Sequence, residues 1–421
     1  MVWRSRVPVL LPEPLLGYRC NLQGCCCGGW GITWTADDLG RLARRLPPEE
    51  LEELTRHQVE LLLAEDGTTV TGARLKASQP GGRCPYLAED GRCTLQQRFG
   101  VEGLPGICVD FPVVPHWLDD HVELAYRFTC PGALDCVFAD QGPVAWARLD
   151  TLDAMYASRL QRVGPLPTLK LDGQPLPPSA LQLLRERILV ACNDRRRPTL
   201  ELLAAIETGL AALQRLDQVP AFQLQAPTDP LPFVRYLLHC VRTHSADYLL
   251  HNLQRQARFL VGRWAPAPGP ELGAALESWE AGLVEWIEPA EPALRPFLQR
   301  YLWLRFASCF VHLQGELRYP FGEVTHELAL ALRYLAAFCQ VTGRPPDQAL
   351  LFAALAASAH LFHTHSFPFQ SRVWFDPEHF AEEREPPPQV PDELEVRCLA
   401  QSAVSVDTVV LEEPVATLPG R

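Results

Sequence analysis

Nine of the fourteen cysteines fall before residue 140, and four of these, Cys20, Cys25, Cys26 and Cys27, occupy only eight positions. A core does not need thiols at that density. Cys84, Cys93, Cys108, Cys130 and Cys136 complete the set. The other five, Cys192, Cys240, Cys309, Cys339 and Cys398, are spaced singly, mostly within apolar helical patterns, and read as small buried hydrophobes. The first third is therefore expected to fold around a metal or iron–sulfur centre. Thiolate is a soft ligand that prefers zinc or iron–sulfur clusters to hard cations.

The compartment decides between metal and disulfide. The apolar run after Arg4 and Arg6, Val-Pro-Val-Leu-Leu-Pro, is too short and too proline-rich for a signal-peptide core. No stretch reaches about 18 consecutive apolar residues. The expectation is a cytoplasmic protein with no membrane segment, where thiols stay reduced and bind metal rather than pair. A net charge of -12 argues against nucleic acid as a partner. Nearly all the positive charge is arginine, since Lys76 and Lys170 are the two lysines.

Along the chain, residues 30–34 (WGITW) suit a short strand. Thr35 can cap the helix that follows, with Asp37 and Asp38 at its positive end. A second helix starts at Pro47-Pro48 and is expected to run to about residue 65. Asp66-Gly67 marks a turn before one or two strands over 68–76. Strand 122–128 ends at Thr129-Cys130-Pro131, and a helix over 131–139 carries Cys136. The proline- and glycine-rich stretch 160–179 marks a boundary. Beyond it, apolar residues recur at helical spacing over 181–192, 200–216, 229–264, 271–286, 293–312, 322–341 and 346–363. From about 381 the chain is acidic and proline-rich, and a partly disordered tail is expected.

The cysteine pattern itself suggests two walls of one site. Cys20 with Cys25-Cys26-Cys27 forms a glycine-flanked knuckle. Cys84 and Cys93 lie on a hairpin whose tip is Asp90-Gly91, read as a two-residue type I′ turn. Cys108 and Cys130 come from loops. Ligands to structural metals usually arrive as such a close pair plus a distant one. His116 and His121, flanking Asp119-Asp120, are possible extra ligands, and His360, His363 and His365 cluster at the end of an apolar helix.

The strings YRC…CCCGGW, RCPYLAEDGRCTLQQRFG, LPGICVDFP and TCPGA resemble the flagellin lysine-N-methylase family. That family lies within the wider cysteine-cluster group (CxxCxxCC, YkgJ-like) of zinc- or iron-chelating proteins. The match spans residues 18 to about 136. The resemblance implies that Cys20, Cys26, Cys27, Cys84, Cys93 and Cys108 hold the chelating positions; the cysteine pattern itself puts Cys25 and Cys130 next. It also implies methyl transfer from S-adenosylmethionine to lysines of a flagellin-like protein substrate. No Rossmann-type glycine loop and no C-x(3)-C-x(2)-C string marks a site for that cofactor. The alternative is a non-catalytic zinc- or iron-chelating protein whose helical body binds a partner. The expected fold is mainly α: a small α+β cysteine-cluster domain over 1–160, an all-α helical domain over 161–380, and the tail 381–421.

Overall fold

The computed structural model describes residues 8–18, 32–76, 84–100, 103–118, 120–140, 142–149, 169–224, 231–260, 265–312 and 315–364. The tail 381–421 lies outside them. The fold is mainly α-helical with small sheets.

Two sheets occupy the N-terminal part. One is four-stranded, built from β1 (Val9–Pro12) with three strands described below. The other joins β2 (Thr33–Thr35), β3 (Val59–Leu63) and β4 (Val70–Leu75) in the order β2-β4-β3, all antiparallel. Between β2 and β3 lie α1 (Ala36–Ala43) and α2 (Pro48–Glu53). Thr35 caps α1 as expected: its hydroxyl accepts the Asp38 N–H at 3.1 Å, and the Asp38 carboxylate accepts the Thr35 N–H at 3.0 Å.

The expected helix to about residue 65 stops early. After Glu53 one π-helical turn, Leu54–Gln58, leads into β3. The turn at Asp66 explains the change. Its carboxylate accepts the N–H groups of Thr68 and Thr69, both at 2.8 Å, and Gly67 takes φ 67°. The hairpin so closed buries Val59 and Ala73 against Trp34, while Leu61 and Leu63 stay 40% and 50% exposed. A continued helix would gain no such burial.

Next come α3 (Thr94–Phe99), α4 (Gly106–Asp110), β5 (Val113–Leu118), β6 (His121–Tyr126), α5 (Pro131–Phe138) and β7 (Trp146–Leu149). The four-stranded sheet has the order β5-β6-β1-β7, with β1 parallel to β6 and antiparallel to β7. A small sheet of β8 (Leu169–Leu171), β9 (Gln174–Pro175) and β10 (Gly315–Glu316) ties the start of the helical part to its centre.

The helical body follows the apolar spacing closely. Its helices are α6 (Pro178–Cys192), α7 (Thr199–Ala212), α8 (Leu231–Arg242), α9 (Ala246–Leu260), α10 (Pro270–Glu277), α11 (Trp279–Gly282), α12 (Glu288–His312), α13 (Arg318–Thr342) and α14 (Gln348–Thr364). Prolines open α6 and α10 in the first turn, where the missing N–H costs nothing. Gly343, at φ 62°, ends α13, and the Asp347 side chain caps α14 by accepting the Leu350 N–H at 2.9 Å. Leu328, Leu335 and Cys339 of α13 are fully buried, with Leu332 at the edge of the stripe.

The buried apolar residues form two clusters. The large one runs from Val9 through the four-stranded sheet and α5 to Leu361 of α14. The small one contains Ile32, Trp34, Leu42, Leu46, Leu54, Val59, Ala73 and Leu95. This second cluster organises the thiols.

Candidate metal centre

Cys84 and Cys93 stand on opposite sides of a tight hairpin. Leu87 and Cys93 form an antiparallel bridge, the Ala88 N–H bonds the Arg92 carbonyl at 2.8 Å, and the Thr94 N–H bonds the Tyr86 carbonyl at 2.8 Å. The tip is not the expected type I′ turn, which needs positive φ at both central residues. Only Gly91 has it, at 83°, and the Gly91 N–H returns to the Ala88 carbonyl at 3.1 Å. The tip is thus one residue wider, with the glycine closing it as a bulge. Asp90 accepts the Arg92 N–H at 3.0 Å and needs no strained backbone.

Tyr86 lies between the two cysteines in sequence, and its ring stacks on Trp34 at 6.1 Å between centroids and 26° between planes. Burial pushes the Tyr86 phenol well up, and the thiols of Cys84 and Cys93 push it further.

Cys108 arrives from the short helix α4. The Asp38 carboxylate holds that helix by accepting the Gly106 N–H at 3.0 Å. Asp38 is 6% exposed and also pairs with Arg41, which reaches the Leu104 carbonyl at 3.4 Å. One carboxylate thus caps α1 and pins the segment that carries Cys108. Cys84, Cys93 and Cys108 all pack, partly exposed, against the small cluster.

Cys130 is placed elsewhere. It lies in the large core at 6% exposure, at the start of α5, with its sulfur 3.6 Å from the Tyr18 hydroxyl. Cys136 is buried further along α5, its thiol donating to the Gly132 carbonyl at 3.4 Å. Cys20, Cys25, Cys26 and Cys27 lie outside the described residues. Among the described residues no group of three or more His, Cys, Asp or Glu side chains is close enough to hold a metal ion.

The donors fit a soft metal in kind. Cys84, Cys93 and Cys108 are each partly exposed, so they can be reached from solvent. The cysteines of the helical body differ. Burial pushes Cys240 up to about 11 and Cys339 up to about 12, and drives Cys192 higher still. These thiols stay protonated and act as small hydrophobes.

His116 and His121 belong to the four-stranded sheet, both 6% exposed. His121 bonds Asp120 through Nδ1 at 2.6 Å and Glu123 through Nε2 at 3.1 Å. Glu123 in turn pairs with the buried Arg185 of α6. The strands of His116 and His121 bury Val113, Val122 and Leu124 in the large cluster. His365 lies outside the described residues, as do the side chains of His360 and His363.

Sequence reasoning did not single out Asp38 or Tyr86. Asp38 was legible as an acidic residue at a helix start, but its bond to Gly106 spans 68 positions and leaves no local signal. No family model, curated protein or solved structure matches the chain.

Proposed function

We propose that the chain is a cysteine-centred zinc or iron–sulfur protein of the flagellin lysine-N-methylase-like group. The observation that carries this is the convergence of Cys84, Cys93 and Cys108 on one small core, held by the hairpin and by Asp38. Cys20, Cys25, Cys26 and Cys27 complete the donor set in this proposal, and a metal would cross-link segments too short to hold one another by apolar burial alone. Cys130 serves the other core. Methyl transfer from S-adenosylmethionine to a protein lysine rests on the resemblance of residues 18–136, and the proposed setting is the cytoplasm. No helix among the described residues is long and apolar enough to cross a membrane.

The test is anaerobic purification with metal analysis and an absorption spectrum. Iron or zinc should co-purify, and Cys84→Ser or Cys93→Ser should lose it. A folded, metal-free wild type would sink the proposal. A broad visible band would assign iron–sulfur, and a colourless metalloprotein zinc. Heat released on titration with S-adenosylmethionine would favour the methyltransferase.

The non-catalytic alternative has one observation behind it. A surface groove of about 1030 Å³ runs between α6 and residues 216–224. Its wall includes Val190, 72% exposed, with Phe222 and Leu224, and Arg195 lies at its edge. Tight metal binding without any response to S-adenosylmethionine would favour this second reading.

A further inference from the structure

The groove beside α6 is held open by hydrogen bonds at both ends. Arg187 of α6 donates through Nη1 to the Phe222 carbonyl and through Nη2 to the Pro220 carbonyl at 2.8 Å, which ties residues 220–222 to the helix. At the other end the Asn193 side chain accepts the Val144 N–H and donates to the Val144 carbonyl, both at 2.9 Å, and so places Pro143 in the wall. The space of about 1030 Å³ between them is faced by Val190, 72% exposed, and by Phe222 and Leu224. Arg195 and Arg196 stand at its rim, and Arg197 follows them. The backbone of this run is fixed. Arg295 donates to the carbonyls of Arg195 and Arg196 at 3.2 Å each, and Gln299 to that of Arg197 at 2.8 Å. Asp194 pairs with Arg196, whose side chain is nonetheless 92% exposed. Three consecutive arginines are unusual in a chain with a net charge of -12. The dipole of α6 does not call for them, because it fades within the last turn and α6 ends at Cys192.

We propose that this groove is the docking site of the chain's own segment 382–395. At the centre of that segment, residues 386–391 read PPPQVP. Four prolines in six residues restrict the backbone to polyproline II, which has no internal hydrogen bonds and little conformational freedom left to lose on binding. Proline-rich segments dock in apolar, aromatic-lined grooves for this reason. Glu382, Glu383 and Glu385 precede the prolines, and Asp392, Glu393 and Glu395 follow them, with Arg384 the one cation. Carboxylates on both sides of an apolar extended stretch match arginines at the rim of an apolar groove. Reach is no obstacle. The 22 residues from Thr364 to Pro386 span up to about 70 Å. A compact chain of this size has a radius of gyration of about 22 Å. The docking rests on neither reading of the cysteine centre.

The test uses the full chain with photoreactive benzoylphenylalanine in place of Val190, which is exposed enough to accept the larger ring. After irradiation and digestion, mass spectrometry should find position 190 linked to residues 382–395 of the same chain. Arg195→Glu combined with Arg196→Glu should lower that yield about fivefold. Adding Asp392→Arg and Glu393→Arg to that variant should restore it. Should the arginine variant fail to fold, raising the salt to about 0.5 M with the arginines in place should lower the yield in its stead. A yield that neither the reversal nor salt lowers overturns the charge pairing on which the docking stands. A link to any other segment, or no link, overturns the docking itself. So does a link between two chains, seen as a dimer on a denaturing gel, because the groove then takes the segment of a second copy.

Discussion

Arg305 of α12 and Glu327 of α13 face each other with both side chains fully buried: Nη2 lies 2.6 Å and Nε 3.0 Å from the same carboxylate oxygen. The Tyr301 hydroxyl donates to the other oxygen, and Glu323 lies 3.3 Å from Nη2. The pair links the two longest helices at the middle of the body. Burying two charges costs about as much as their attraction returns, so the pair adds little net stability but is expensive to break.

Arg305→Leu should therefore destabilise the protein by about 3–5 kcal/mol, because Glu327 is left charged in the core. Leucine at both positions should recover most of that loss. Burial already raises the pKa of Glu323, and the loss of Arg305 removes the charge that opposes that shift. Urea unfolding of the two single variants and the double variant checks this. A double variant as unstable as the worse single would mean that the pair contributes through packing and not through charge.

Asp38→Ala should cost about 2–3 kcal/mol, since it removes the acceptor for two backbone N–H groups and for Arg41. Thr35→Ala removes only the cap and should cost about 1 kcal/mol. The difference between them measures the tie to α4. On the proposed function, Asp38→Ala also lowers metal retention through Cys108, whereas Thr35→Ala does not. Denaturation midpoints with metal analysis of both variants separate the two effects.

Gly72 lies on β4 where the strand passes β2. A Cβ there would sit 2.4 Å from the Trp34 carbonyl oxygen. Since that oxygen is backbone, it has no rotamer by which to move away. Gly72→Ala should cost about 1–3 kcal/mol, as overpacking usually does. Gly17→Ala is the control, with nothing within 4 Å of the added atom. Equal stability of the two variants would show that the strands can separate at little cost.

What the sequence made legible follows from the range of the interactions. The helical body was readable because leucines and alanines at i, i+3 and i+4 state their own partner face, as Leu328 and Leu335 do. Strand 59–63 was not, because Val-Glu-Leu-Leu-Leu satisfies either period, and only the Asp66 turn decides between them. The parallel pairing of β1 with β6 joins residues more than a hundred positions apart and has no local trace. The same limit applies to the thiols. Cys108 and Cys130 look alike in sequence, yet one packs with Trp34 and the other under Tyr18. Chain distance could pair Cys84 with Cys93 across a turn, but it could not say which core a lone cysteine enters.

Two buried histidines make stability depend on pH. Burial pulls His116 down to about 4, with Glu123 opposing and Arg185 and Arg127 adding to the shift. Burial and then Arg333 pull His244 down to about 4. The Nε2 of His244 meets that of His326 at 3.0 Å, so one ring donates and the other accepts, and a further proton on the accepting Nε2 breaks the bond. Unfolded histidine titrates near about 6.5. Between that value and about 4 the unfolded chain binds protons that the native chain refuses, so stability falls as pH falls. The contribution is complete above about pH 6.5 and is lost progressively towards about pH 4, on the order of 3 kcal/mol for each histidine. His121 works in the opposite direction. Its hydrogen bond to Glu123 raises its pKa, so its contribution is present in acid and is lost as pH rises through the raised value. Burial and then His244 pull His326 down as well, so among these histidines three lowered groups against one raised give a net loss in acid. Urea midpoints at about pH 7.5 and about pH 5 should show it for the wild type, and His244→Gln should flatten the dependence. An unchanged slope in that variant would place the acid sensitivity outside the His244–His326 pair.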